Sequence, residues 1–458
     1  MLAPTTSTPR RSRLTFIGVT AAAGAVLAVG LTAPSASAAS GEYAGTLADG
    51  TAWRAVVPDD WNGTLLLYSH GYQPSFAGPR APATVAPNPA TEQLLLEQGY
   101  ALVGSTYEAT GWAVPTAPDD QLESLDAALV QIGEQPDHVL AYGTSMGGLV
   151  TGRLAESAGD VIAGAMPTCG LMEGGVDLNN YQLDGSHAID ELLAPAQDIQ
   201  IEGYANLGAA FGTSAALSGA VDAGQATAEG RARVALAAAL FHLPGTDTRD
   251  ADVWQESMYA LLRQTLGFVT PGRFDIETAT GGNATWNVGV DYGRLFQQSE
   301  DRQKVAELYR AAGLDLKADL AQLTDTADID PDAGSVETLN STSGLTGDLQ
   351  VPVLTMHTTI DILAPVQVEE EYAEDVRSQG DSAMLRQTFV EREGHCSFTP
   401  AEIAAGISVL EDRVNSGHWG GASNSVPQLN ALAASLDDSG SAFVTLPPRE
   451  FVGDRIWE

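Results

Sequence analysis

Apolar and polar positions alternate with two different periods along the chain, and the periods divide it into three stretches. Residues 42–47 and 51–57 alternate with period two around Asp49-Gly50, which predicts a β-hairpin. Residues 64–69 form a short apolar run that reads as a buried strand, and residues 91–98 carry a helical pattern that stops at Gly99. A strand at 100–105, a helix at 121–132, a strand at 138–142, a helix from 148 and a strand at 161–166 follow. This βαβαβ order predicts an α/β architecture, a mostly parallel sheet with helices on both faces. From residue 170 to about 350 the pattern turns helical, with helices expected at 189–201, 223–241, 253–266 and 302–323. The alternation resumes with strands at 351–356 and 387–390 and helices at 366–378 and 401–414. Residues 39–169 and 351–458 are therefore expected to form one sheet domain, with 170–350 inserted after the sixth strand as a helical cap. The tail from Gly420 offers one helix (428–436) and one strand (441–446), expected to pack on the outside.

Composition changes this picture at its ends and on its surface. Residues 1–38 join a basic cluster (Arg10, Arg11, Arg13) to an apolar run from Phe16 to Leu31 and a small-residue Ala36-Ser37-Ala38 site. That is the pattern of an export signal cleaved near Ala38, which predicts a secreted, extracellular protein. No later apolar run is long enough to span a bilayer. The formal net charge is −37, and losing the three signal arginines makes the rest more negative still. Such a surface excludes nucleic acid and anionic membranes as natural partners. The oligomeric state is not encoded in any pattern found here.

Chemistry enters with Gly143-Thr144-Ser145-Met146-Gly147, set between an apolar strand and a helix. Glycine two places before and two after a serine suits a turn too sharp for Cβ atoms, with the hydroxyl exposed at its tip. A serine hydroxyl needs a base within hydrogen-bond reach, and the base needs an orienting carboxylate. Asp361 lies in a loop past the strand that begins at Val351, followed by an apolar turn and Pro365. His395 follows Gly394 in the loop before the last long helix. The other histidines fit less well: His138 opens the serine's strand, His187 and His242 fall in the insertion, and His418 follows the last long helix. His357 stands at a strand end and reads as structural. Glu369, Glu370 and Glu371 fall inside a helix. For the oxyanion, the backbone N–H of Met146 is one expected donor. The loop His70-Gly71-Tyr72 supplies the other: Gly71 permits close approach and Tyr72 N–H donates. Asp328-Ile329-Asp330-Pro331-Asp332 starts like a calcium loop. It has Ala333 where glycine is needed and Leu339 where glutamate is needed, so an acidic surface turn is expected instead. The loop from Gly281 to Asn287 is expected either to line the pocket or to serve packing.

Together these motifs resemble the α/β-hydrolase superfamily over about residues 39–169 and 351–420, with the insertion outside the resemblance. The resemblance implies an α/β-hydrolase fold and the chain order Ser145, Asp361, His395 for a catalytic triad. Within the superfamily the chain looks like secreted bacterial serine esterases with a large cap. His395-Cys396 is also similar to tannases and feruloyl esterases, where such a cysteine bridges to one just before the serine. Here that position is Thr144. Aminopeptidases of the superfamily usually carry an aromatic after the serine, and here it is Met146. The reading is an exported carboxylic ester hydrolase working through an acyl-enzyme, with no metal and no cofactor, on a small-molecule or polymeric ester. A serine peptidase and a non-catalytic binding protein are the alternatives. In this fold the His395 loop must cross the tip of strand six, where Cys169 stands. A Cys169–Cys396 disulfide is therefore expected, with two separate buried thiols as the alternative.

Overall fold

The computed structural model describes residues 40–453, apart from 79 and 247, together with residue 455. The export segment and its cleavage point lie outside the described residues. Among the described residues, nine strands form one sheet: β1 (Gly41–Thr46), β2 (Ala52–Val57), β3 (Thr64–Ser69), β4 (Ala101–Ser105), β5 (His138–Thr144), β6 (Gly164–Thr168), β7 (Val353–Ile360), β8 (Leu385–Glu393) and β9 (Phe443–Val444). Their spatial order is β1-β2-β4-β3-β5-β6-β7-β8-β9. β1, β2 and β4 pair antiparallel, β3 to β8 run parallel, and β9 closes the edge antiparallel to β8.

β3 shows how the pattern makes the core. All six of its residues are buried. Leu65 and Leu67 face one apolar cluster, Leu66 and Tyr68 the other, as a period of two requires. The first cluster takes in α2 (Ala117–Ile132), α3 (Met146–Ser157) and α12 (Val368–Gln379). The second takes in α1 (Pro89–Glu97), α13 (Pro400–Ser416) and α14 (Val426–Leu436). Each fully buried leucine contributes about 2–3 kcal/mol relative to exposure. A polar substitution on either face of β3 would meet this core rather than water.

Among the described residues, eight helices lie between β6 and β7: α4 (Gly174–Leu193), α5 (Leu207–Gln225), α6 (Ala228–Leu240), α7 (Ala251–Thr280), α8 (Tyr292–Gln298), α9 (Arg302–Ala311), α10 (Leu316–Asp325) and α11 (Ala333–Ser343). Their bounds depart from the sequence expectation for local reasons. The helix expected at 189–201 starts earlier and stops at Leu193, because Pro195 disfavours helical backbone before it. The stretch 223–241 divides at Thr227, whose side chain caps α6 by accepting from Gly230 N. The stretch 302–323 divides at Gly313 (φ +73°), and Asp315 caps α10. α7 runs straight through Pro271, longer than the pattern suggested. β6 starts at Gly164 rather than 161, because Val161 and Ile162 turn back onto Ala158 O to close α3. The tail does not merely lie outside. β9 joins the sheet, and beyond it Val452 O meets His242 Nε2 at 2.6 Å while Arg455 pairs with Asp184 of α4.

Cys169, one residue past β6, is bonded to Cys396, with Cα atoms 5.4 Å apart and a sequence separation of 227. The chain-entropy account assigns such a loop about 5 kcal/mol as an upper figure. Thiol titration of the unfolded, unreduced protein should find no free thiol, and peptide mapping should find Cys169 joined to Cys396. Two free thiols would contradict the bridge.

Candidate active site

Ser145 stands between β5 and α3 with φ 60° and ψ −123°, backbone that costs a side-chain-bearing residue about 1–3 kcal/mol. Its surroundings hold it there. Ser145 N donates to Thr168 O at 3.0 Å, and Gly148 N to Ser145 O at 2.7 Å. A Cβ on Gly143 would stand 2.1 Å from Gly147 O, and one on Gly147 2.0 Å from Ser69 O. Neither backbone can retreat, so both positions demand glycine. The side chain stands at the start of α3, whose first N–H groups have no partner within the helix.

His395 Nε2 lies 2.7 Å from Ser145 Oγ. Its Nδ1 lies 2.9 and 2.8 Å from the two oxygens of Asp361. With the proton on Nδ1 donated to the carboxylate, Nε2 is left to accept from the serine hydroxyl. Asp361 comes immediately after β7, which runs four residues further than expected. Its Oδ1 also accepts from Leu363 N and Ala364 N at 2.9 and 3.0 Å. Burial works against this charge. The electrostatic interaction with His395 and its hydrogen bond, joined by His357 and the Ala364 N–H, outweigh that, and Asp361 is held below the usual carboxylate range. The loop carrying His395 is tied down twice. Gly394 N donates to Ile360 O at 2.9 Å, and Thr358 Oγ1 donates to Gly394 O at 2.9 Å. Cys396 adds the covalent tie to Cys169.

Gly71 packs against the serine. A Cβ there would come 3.4 Å from Ser145 Cβ and 3.2 Å from Thr144 O. Met146 opens α3, and Tyr72 lines the cavity that holds Ser145. His70 is buried, stacked on Tyr107 at 4.0 Å between ring centroids, and burial lowers its pKa. Its Nδ1 lies 2.6 Å from Gly71 O, so it shapes the loop. The cavity measures about 450 Å³. Its floor is Ser145 and His395, and its walls are mostly apolar: Tyr72, Trp112 and Leu171, then Leu178 of α4 and Phe268 and Ile276 of α7.

Sequence reasoning did not find Asp275. This α7 residue is 4% exposed. It accepts from Tyr72 Oη, from Ser75 Oγ and, at 3.1 Å, from Ser75 N. An inserted helix thus grips the loop that follows β3. The one available signal was an acid on the apolar stripe of a helical run. The loop at 281–287 does not line this cavity. Thr285 Oγ1 and Trp286 N bond Asn180 at 3.0 and 3.1 Å, so it serves packing. Asp332 caps α11 by accepting from Gly334 N and Ser335 N, and carries no metal ligand geometry. Among the described residues the close-set group of potential metal donors is Cys169, His395 and Cys396, and its two sulfurs are committed to each other.

No protein-family model matches the chain. It is 29% identical over 459 residues to an o-phthalyl amidase from Xanthobacter agilis, spanning 91% of this chain and 97% of that protein. Among solved structures it is similar to feruloyl esterase B from Aspergillus oryzae, with 12% identity, a TM-score of 0.42 and 82% of each chain covered. It is also similar to an acylaminoacyl peptidase from Pyrococcus horikoshii, with 9% identity and a TM-score of 0.36, covering 78% of this chain and 38% of that one. The chain's own strand order, with its sharp serine turn between β5 and α3, is that of the α/β-hydrolase fold, and to that fold the protein belongs.

Proposed function

We propose that the protein is a serine hydrolase that cleaves carboxylic acid derivatives through an acyl-enzyme on Ser145, with esters of compact, apolar acids as substrates. One observation carries the reading: Asp361, His395 and Ser145 are hydrogen-bonded in line at the floor of an apolar cavity. In the first half-reaction Ser145 gives its proton to His395 Nε2 as Oγ attacks the acyl carbon. Asp361 steadies the imidazolium that results. The N–H groups of Met146 and Tyr72 receive the oxyanion, helped by the start of α3. His395 then hands the proton to the leaving group. Water, deprotonated by His395 in turn, releases the acid and restores Ser145. None of these steps calls on a metal or a cofactor.

A second reading replaces the ester by an amide, and the relative that is an o-phthalyl amidase favours it. The same groups serve both, because an amine leaves only when protonated and His395 stands ready to do that. On either reading α4 and α7 of the insertion act as a cap that shapes the acyl site, since Leu178, Phe268 and Ile276 come from them. Asp275 is a positioning residue in this scheme: it holds Tyr72 and Ser75, and so the loop whose N–H faces the oxyanion. Export is part of the proposal too. The basic and apolar pattern of residues 1–38 supports it, and a bonded cysteine pair is compatible with an oxidising compartment.

Ser145→Ala should lower kcat by about 10⁴-fold or more and leave the fold unchanged by circular dichroism. Retained turnover would dismiss Ser145 as nucleophile. An aromatic acyl p-nitrophenyl ester and the matching p-nitroanilide should then be compared on the wild-type enzyme. The ester reading expects kcat/KM to favour the ester by more than the intrinsic difference in leaving-group reactivity. Comparable kcat/KM for the anilide would move the assignment to an amidase. Asp275→Ala should lower kcat by about 10- to 100-fold with KM little changed, and lower Tm as well, since three donors lose their acceptor. Unaltered kcat would remove Asp275 from the scheme.

A further inference from the structure

Beneath Asp361 lies a second histidine, fully buried, that the mechanism above does not use. His357 sits in β7 with a relative exposure of 0%. Its Nδ1 is 3.0 Å from Glu369 Oε1, and its Nε2 is 2.9 Å from Ala364 O. The hydrogen count decides the charge of the ring. A carbonyl oxygen brings no proton, so Nε2 must donate to Ala364. Nδ1 faces a carboxylate whose other oxygen already receives the Thr355 hydroxyl and, at 2.7 Å, Gln387 Nε2. One proton lies between Nδ1 and Oε1; the two donors already on Oε2 and the Asp361 carboxylate 3.9 Å from the ring favour it on the nitrogen, so Nδ1 donates as well.

We propose that His357 is an imidazolium at neutral pH, buried under the triad, and that it acts as a positioning residue for Asp361. This rests on the catalytic reading of Asp361 and His395 given above. Two consequences follow from the geometry. The first is mechanical: Asp361 Oδ1 accepts from Ala364 N, while His357 Nε2 donates to Ala364 O, so one peptide turn is clamped from both sides. The second is electrostatic. His357 Nε2 is 3.9 Å from Asp361 Oδ2. The site then holds two carboxylates against one fixed cation, leaving one net negative charge to receive the imidazolium that forms on His395 in the transition state.

The groups that face His357 come from three elements. Glu369 belongs to α12, Asp361 to the turn after β7, and Gln387 to β8. Tyr372 of α12 and Glu173, just before α4, lie within electrostatic reach of Glu369, and burial pushes Glu173 strongly toward its neutral form. Burial of His357 itself opposes its charge. The hydrogen bond to Glu369 and the charges of Glu369 and Asp361 outweigh that, and the pKa is raised above the ordinary 6.5. The stability this group adds is accordingly full below the ordinary value and is lost as pH rises through the raised one.

The test uses the ¹⁵N-labelled enzyme, whose seven histidines make ring spectra tractable. At pH 7 the His357 ring, assigned by its loss in His357→Gln, should show both nitrogens protonated. A ring with one bare nitrogen would overturn the proposal. Glu369→Gln should return the ring to the neutral pattern, and an unchanged imidazolium there would refute the role given to Glu369. In His357→Gln the acid limb of the kcat/KM profile should move up by about half to one pH unit, because a neighbouring positive charge has gone. An unmoved limb would leave His357 merely structural. If that variant does not fold, the wild-type and Glu369→Gln spectra decide the question, with assignment by difference. The ring spectra need no turnover, so the charge of His357 and the catalytic role of Ser145 can fail separately.

Discussion

Ser145 is held in backbone that a serine would not choose, and most of the molecule near it exists to keep it there. The constraint begins with sterics. Gly143 and Gly147 approach other backbone so closely that a single added carbon would overlap it. The turn is fixed by Thr168 O at the end of β6, and the bridged Cys169 follows in sequence. The disulfide then carries the constraint to Cys396, whose neighbour His395 completes the contact with Ser145 Oγ. Ser145 and His395 come from loops far apart in sequence, yet both are anchored to the tip of β6. A loop that wandered by an ångström would lose the hydrogen bond on which proton transfer depends.

The electrostatics follow the same economy. Asp361 is buried, and burial alone would leave it protonated. It stays charged because His395, two backbone N–H groups and the nearby His357 favour the anion. The cavity walls on one side of this line are mostly apolar, and low polarity strengthens each of those interactions. On the other side, Asp275 of α7 reaches across to the loop that carries Tyr72. The inserted helices therefore do two things at once: they wall the cavity that holds Ser145 and they hold the loop that carries Tyr72.

Much of this was legible in the sequence, for reasons that can be named. Buried parallel strands are apolar throughout, so β3 and β5 announced themselves. The serine turn did so through its glycines, which no other residue can replace. Asp361 and His395 stood in loops after apolar runs and before helices, and the structure brings both to Ser145. The insertion was harder. Its helices are capped and broken by single residues, such as Thr227, Gly313 and Pro195, which a periodic pattern does not weigh. The charge of His357 was out of reach because it depends on how β7 and α12 turn the ring onto Glu369, and Asp275 because its partners Tyr72 and Ser75 lie far away in sequence. The reach of the tail to His242 and Asp184 was hidden for the same reason.

The claim on which the rest depends is that acyl transfer passes through Ser145 Oγ and nowhere else. It is tested most directly by quenching the enzyme in acid during turnover of an activated aromatic ester and mapping the trapped adduct by mass spectrometry. The account predicts one added acyl mass, on the peptide that contains Ser145, absent when Ser145 is replaced by alanine. An adduct on another residue, or burst kinetics of the released alcohol that persist in the alanine variant, would contradict it.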